Sequence, residues 1–247
     1  STVTSYEGGF KSEFFDHRLL FDVAGYHISW EDIQVGVTIN GITALVNAGK
    51  ASTNGVELTT GFEPIKNLRF GINGAYTDAT LDNDAPSLGG RAGDLLPFVP
   101  VYSASATIDY YFTLPFWHTM AERQQVPGGD AGKNIAASDS KIVPGLRTES
   151  AEWNGHVGAG FRWVSGQWSE VESSKTAIRT PAYGAMDLNA DLSNGRWTIR
   201  VYAKNVWDER AYPTVFVNTN ALTGAVVDAL GTPIQPRTVG VEVDCKF

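Results

Sequence analysis

Covalent catalysis needs a nucleophile, a base and a group that stabilises developing charge, held together. This sequence offers no such set. It has no Gly-x-Ser-x-Gly elbow, and Val164-Ser165-Gly166 reads as the end of a strand. Gly128-Gly129-Asp130-Ala131-Gly132-Lys133-Asn134 has the glycines and lysine of a phosphate loop. Its first glycine is misplaced, however, and Asn134 stands where a Ser or Thr hydroxyl would meet Mg²⁺, so the segment reads as a loop. The four histidines, at 17, 27, 118 and 156, are scattered and suggest no metal constellation. Asp82-Asn83-Asp84 lacks the further ligands that calcium requires at fixed spacing. Cys245 is alone, which excludes an internal disulfide and a multi-thiolate site. The expectation is therefore no catalytic residue, no bound metal and no cofactor: the chain is not an enzyme.

Composition points the same way. Hydrophobic residues make up 43% of the 247, and there are 26 glycines and seven tryptophans, a balance suited to β-structure with close backbone approaches. No stretch approaches the roughly 18 apolar residues of a membrane-spanning helix. A net charge of −8 argues against nucleic acid as a partner. Ser1–Phe10 has neither a basic nor an apolar leader region, so no signal peptide is visible.

The dominant periodicity is two. Leu68, Phe70, Ile72, Gly74 and Tyr76 alternate with Arg69, Gly71, Asn73 and Ala75. The same pattern recurs in Val101–Phe112, Trp153–Trp163, Trp197–Ala203 and Val239–Phe247, and less regularly in Tyr6–Lys11, Leu19–Ile33, Gly55–Glu63 and Ala182–Leu192. These segments predict nine strands. Short connections at Phe15–Arg18, Pro64–Asn67 and Asn194-Gly195 alternate with long ones near Gly36–Thr43, Asp82–Pro100, Gly166–Pro181 and Asp208–Pro236, as in an up-and-down sheet across a membrane. Thr113–Ala151 breaks this rule, being long on the short-turn side, and reads as an irregular insertion.

A soluble β-sandwich also has alternating strands. Two features favour a membrane barrel. One face carries almost no charge, while the other carries Arg69, Asp109, Arg162, Asp187, Asp191, Arg200, Lys204, Glu242, Asp244 and Lys246, which a solvated or plugged lumen accommodates. Aromatics on the apolar face also fall into two rows. Phe10, Phe62, Phe112, Trp153, Trp197 and Phe247 lie towards the short turns, and Trp30, Tyr76, Tyr102 and Trp163 towards the long loops. With Trp30 in the outer row, Phe21 and Val23 fall on the lumenal parity and Asp22 on the lipid parity; a bulge within Leu19–Ile33 would restore the phase, though the sequence itself shows none.

Several segments together resemble the C-terminal region of TonB-dependent outer-membrane receptors. Tyr6-Glu7-Gly8-Gly9-Phe10-Lys11 resembles a strand opening of that family, and Ile28-Ser29-Trp30-Glu31-Asp32-Ile33-Gln34 the end of the next strand. Asn47-Ala48-Gly49-Lys50-Ala51 followed by Gly55-Val56-Glu57-Leu58 is similar to its N-x-G-x-A…G-x-E pattern. Asn205-Val206-Trp207-Asp208-Glu209-Arg210-Ala211-Tyr212 resembles its N-L-x-D-x-x-Y segment, and Pro236-Arg237-Thr238-Val239-Gly240 with Phe247 its closing strand.

The resemblance implies an all-β fold, an antiparallel transmembrane β-barrel in which residues 1–247 supply about the last nine strands of a roughly 22-stranded barrel. The plug domain and the remaining barrel strands would come from elsewhere in the same or another chain, because an open sheet edge cannot face lipid. It further implies an integral protein of a Gram-negative outer membrane that imports a small-molecule ligand (an iron chelate, cobalamin or an oligosaccharide) with energy from the TonB complex. Arg91, Asp94, Trp168, Arg210 and Tyr212 in the long loops are the candidate capture residues. Arg69, Arg162, Asp187, Arg200 and Lys204 are candidates to face the lumen and plug. A passive porin, or a surface-anchoring barrel binding a partner protein, would share the wall but not the energised uptake.

Overall fold

The computed structural model describes residues 1–39, 42–47, 49–114, 152–220 and 222–247. In chain order the strands are β1 (Thr2–Phe14), β2 (Leu19–Glu31), β3 (Gln34–Ile39), β4 (Ile42–Asn47), β5 (Lys50–Ile65), β6 (Leu68–Leu81), β7 (Tyr102–Leu114) and β8 (Trp153–Val164). They continue with β9 (Gln167–Trp168), β10 (Arg179–Thr180), β11 (Tyr183–Ser193), β12 (Trp197–Lys204), β13 (Thr214–Thr219), β14 (Val226–Thr232) and β15 (Thr238–Cys245). Among the described residues, nine of them form one antiparallel sheet in the order β1-β2-β5-β6-β7-β8-β11-β12-β15. Every neighbour in this wall is the next wall strand in sequence, as the alternation of short and long connections predicts.

The register sorts side chains by chemistry. Val23, Leu58, Gly74, Ala104, Trp163 and Gly184 lie side by side on one face. Tyr111, His156, Asp191, Arg200 and Glu242 form a row on the other. On the apolar face Val56, Ile72, Ile108, Val157, Ile199, Val201, Val241 and Val243 are all exposed, which in water would be a large unpartnered hydrophobic surface. Tyr102 to Phe112 spans about ten residues, or about 33 Å along a strand; at the usual barrel tilt that is about 25 Å of apolar height. Tyr76 and Tyr102 mark one boundary with ring centroids 5.3 Å apart, and Tyr110 and Phe112 the other at 6.0 Å. Trp207, in the connection after β12, packs on Phe161 at 5.8 Å and adds an exposed aromatic to the long-loop side.

One sequence expectation is overturned. β2 pairs without interruption with β1, from Phe14↔Leu19 to Thr2↔Glu31, and with β5, from Leu19↔Phe62 to Glu31↔Lys50. No bulge resets its phase. Leu19, Phe21 and Val23 therefore share the apolar face with Phe10 and Phe62, and Phe21 contacts Phe10 at 6.5 Å. Trp30, opposite Ala51, belongs to the polar face rather than the outer aromatic row. The outward positions beyond the aromatic boundary are polar instead: His27 bonds Asn54 at 2.9 Å, and Ser52 bonds Asp82 at 2.6 Å.

The long connections are more ordered than loops. The segment expected as a simple connection near Gly36–Thr43 contains the β3–β4 hairpin, and Asp208–Pro236 contains β13–β14. The two hairpins join through a parallel contact, Thr219↔Ile39, into a sheet of order β14-β13-β3-β4. They spring from opposite flanks of the wall, so the wall curves to let them meet. A small apolar core of Ile33, Ala51, Leu81, Ala85 and Val171 seats these connections on the inner side of β5 and β6. The insertion at 113–151 lies outside the described residues apart from its first two, Thr113 and Leu114, which end β7, as do the glycine-rich segment 128–134 and His118.

Candidate functional site

Two regions of the molecule bear on function: the polar face of the wall and the mouth where the long connections gather. On the wall, register alone assembles groups far apart in sequence. His156 in β8 sits between two carboxylates, with Nε2 2.8 Å from Asp109 of β7 and Nδ1 2.9 Å from Asp191 of β11. Tyr111 stacks on its ring at 4.7 Å, and the Arg69 guanidinium lies 5.4 Å above Tyr111. Arg69 in turn pairs with Glu63 at 3.6 Å, while Arg200 pairs with Glu242 at 2.8 Å. The result is a belt of paired charge running from β5 to β15 near the short-turn end. Arg162 and Asp187 pair at 3.5 Å nearer the mouth, and Lys204 lies 5.8 Å over the Tyr202 ring. All five wall candidates, Arg69, Arg162, Asp187, Arg200 and Lys204, thus stand on the polar face. Paired groups of this kind keep their charge without demanding bulk water.

At the mouth the five candidate capture residues do not form one cluster. Asp94 is only 8% exposed. Its Oδ2 accepts from the backbone N–H of Arg91 at 2.8 Å and of Ser173 at 3.2 Å, and its Oδ1 accepts from the Ser173 hydroxyl at 2.8 Å. Burial works to raise its pKa, but those hydrogen bonds and the Arg91 charge outweigh it and hold the carboxyl below its ordinary value. Asp94 staples the β6–β7 connection to the β8–β11 connection. Trp168 is half-buried under Arg179, 6.0 Å from its ring, and its carbonyl accepts from Phe98 N–H at 2.8 Å. Arg91, Arg210 and Tyr212 are exposed. Arg210 donates to Asp208 at 3.1 Å, and Tyr212 covers Gly231 of β14.

The motif residues act as fasteners. Asn205 is 0% exposed at φ 49°, in the left-handed region that Asn tolerates. Its Nδ2 donates to the carbonyls of Glu209 and Gln235, each at 2.9 Å, and its Oδ1 accepts from Glu209 N–H at 2.9 Å. Its own N–H donates to Asp187 Oδ1 at 2.8 Å, which ties the connection to the wall. Asp208 accepts from Arg237 N–H at 3.1 Å; that bond, then the Arg210 guanidinium, holds its carboxyl below the ordinary range. Gly49 at φ 82° turns the chain back, its N–H donating to Asn47 Oδ1 at 2.7 Å. At Gly55 the Tyr26 ring lies across the backbone, 2.3 Å from where a Cβ would stand.

A cavity of about 230 Å³ opens where all four long connections meet. Leu88 and Phe98 from the β6–β7 connection, Glu170 and Val171 from β8–β11, Phe216 from β13 and Gly36 from β3 contribute to its walls. The Phe98 and Phe216 rings are 5.6 Å apart. None of these residues stood out in the sequence, because they are spread over four connections that share no motif. Among the described residues no group of three or more His, Cys, Asp or Glu side chains is placed to hold a metal ion.

Comparison with known proteins agrees with this architecture. The family described as TonB dependent receptor-like, beta-barrel matches residues 1–206. No curated protein matches the chain. Solved structures similar in fold include the ferric yersiniabactin uptake receptor FyuA from Yersinia pestis, with a TM-score of 0.67 and 18% identity over 99% of this chain and 30% of that one. The siderophore receptor PiuA from Acinetobacter baumannii has a TM-score of 0.62 and 17% identity over 98% of this chain and 28% of its own. The copper transporter OprC has a TM-score of 0.62 and 15% identity over 99% and 31%. The chain spans less than a third of the length of these structures, and nearly all of it aligns with each of them. It belongs to the TonB-dependent receptors, as part of their outer-membrane β-barrel.

Proposed function

We propose that the full-length protein is an active-transport receptor that captures a scarce small molecule at the cell surface and imports it with energy from the TonB complex. The observation that carries this reading is the gathering of all four long connections at one end of a wall whose polar face is lined with paired charge. Residues 1–247 would be the last nine strands of the barrel, its free edges at β1 and β15 closed by the remaining strands. An upstream plug domain would rest against Arg69, Arg162, Asp187, Arg200 and Lys204. The insertion at 113–151 would face the periplasm. An iron chelate is the leading cargo, because similar structures include receptors for ferric yersiniabactin and other siderophores. Copper, cobalamin and oligosaccharides are the competing cargoes. Arg91, Arg210 and Tyr212 are the exposed groups at the mouth best placed to meet it.

The test is accumulation of radiolabelled ferric chelates by cells expressing the full-length receptor, with the proton gradient intact and then collapsed. Uptake that stops when the gradient collapses, and in cells lacking TonB, supports the reading. Uptake that continues in both conditions makes the barrel a passive porin and overturns it.

A further inference from the structure

The cavity at the junction of the four connections has a chemistry that selects its occupant. At about 230 Å³ it is smaller than the usual pocket for a whole drug-sized ligand, so it takes one side group of a larger molecule. Its aromatic wall, Phe98 with Phe216, and its aliphatic wall, Leu88 with Val171, suit a compact apolar body. Among the described residues Glu170 is the one charged group that lines it. The hydroxyls of Ser174 and Thr176 both donate to Glu170 Oε2, each at 2.5 Å, which fixes the carboxylate and leaves Oε1 as an acceptor.

The surroundings do not offset that charge. The connections carry Lys175, Arg179, Arg91, Arg210 and Arg237, and none of them lines the cavity. Arg179 lies over Trp168, and Arg210 pairs with Asp208. Asp32, Asp82, Asp84, Asp94, Glu172, Asp208, Glu209 and Asp228 leave the mouth net negative. A partly enclosed carboxylate in such a field attracts cations and repels anions more strongly than it would in open water.

We propose that this cavity is a subsite for a positively charged end group with a compact apolar body, an aryl- or alkyl-ammonium or a guanidinium, and that the receptor disfavours anionic cargo there. Phe98 and Phe216 receive the apolar body and, by their ring faces, part of the cation's charge. Glu170 receives the hydrogen bond. The occupant's identity as part of the cargo rests on the uptake reading; the subsite's charge selectivity does not.

The experiment compares benzylammonium with its anionic isostere benzoate on the unaltered full-length receptor, by saturation-transfer NMR with titration to a dissociation constant. Benzylammonium is expected to bind about tenfold or more tightly than benzoate, the preference one charge-assisted hydrogen bond supports. Glu170→Gln should abolish that preference, while Glu172→Gln, at an exposed neighbour, should keep it. Equal binding of the two isosteres, no binding of benzylammonium, or a preference that survives Glu170→Gln overturns the proposal. A failure here leaves gradient-dependent uptake untouched, and a porin result there leaves this selectivity in place.

Discussion

Removing the Asn205 side chain is the sharpest test of how the connection between β12 and β15 is fastened. Asn205→Ala deletes two donated hydrogen bonds and one accepted bond in a fully buried setting and leaves two carbonyls and one N–H without partners. Each bond is worth about 1 kcal/mol net where water can replace it, and each orphaned group costs about 2 kcal/mol where water cannot. The connection between β12 and β15 should therefore lose between about 3 and about 6 kcal/mol of local stability. Alanine's poorer fit to φ 49° adds about 1 kcal/mol. The lower bound alone raises local opening more than a hundredfold. The assay is hydrogen exchange with mass spectrometry on peptides covering 205–237, beside a heat-modifiability gel that reads the barrel itself. Exchange of the Glu209 amide should accelerate by two orders of magnitude or more while the barrel's melting is unchanged, because the wall ladders do not pass through Asn205. Unchanged protection at Glu209 would refute the reasoning.

Further substitutions test the wall. Gly55→Ala places a Cβ 2.3 Å from the Tyr26 ring, displacing it and its 3.2 Å hydrogen bond to Thr77, so denaturant midpoints should report a loss of about 1–3 kcal/mol. In a Tyr26→Ala background the same change should cost far less, and simple additivity would contradict the steric account. Ile108→Arg, midway between the aromatic rows on the apolar face, should destabilise the folded barrel in bilayers by about 2–4 kcal/mol, whereas Thr107→Arg on the polar face should be tolerated. Asp94, whose folded pKa lies below its unfolded one, contributes stability that is present above the ordinary carboxylate range and lost as pH falls through the folded pKa. Loop protection at Ser173 should therefore drop on acidification below that range in the native protein, and Asp94→Asn should flatten the dependence.

The wall was legible in the sequence because lipid imposes a simple code: Tyr102 to Tyr110 alternates without error, and so do Trp153 to Trp163 and Val239 to Cys245. Lipid asks nothing of strands above the membrane. Val226–Thr232 is exposed on both faces, so β14 left no periodic trace. Gln34–Ile39 does alternate, Val35, Val37 and Ile39 against Gln34, Gly36 and Thr38, but at six residues it is too short to stand apart from the connection around it. Phase failed at β2 for a physical reason. Anchoring on Trp30 assumed that every interfacial aromatic points to lipid, yet near the mouth the inner side is also apolar, with Ala51 and Leu81 beside it. The fastening role of Asp94 was invisible because Ser173 lies 79 residues away. The His156 pair to Asp109 and Asp191 likewise exists only through register across three strands.

The division of the sheet into a lipid face and a lumenal face underlies every other conclusion, and β7 exposes it most directly. Single cysteines introduced at each position from 103 to 110, in a Cys245→Ser background, can be labelled with a fluorophore in bilayers containing brominated lipid and probed with an aqueous quencher. The expected result is strict alternation, with 104, 106, 108 and 110 quenched by the lipid and 103, 105, 107 and 109 by the aqueous reagent. Equal quenching at both parities, or the reverse alternation, would contradict the membrane-spanning wall.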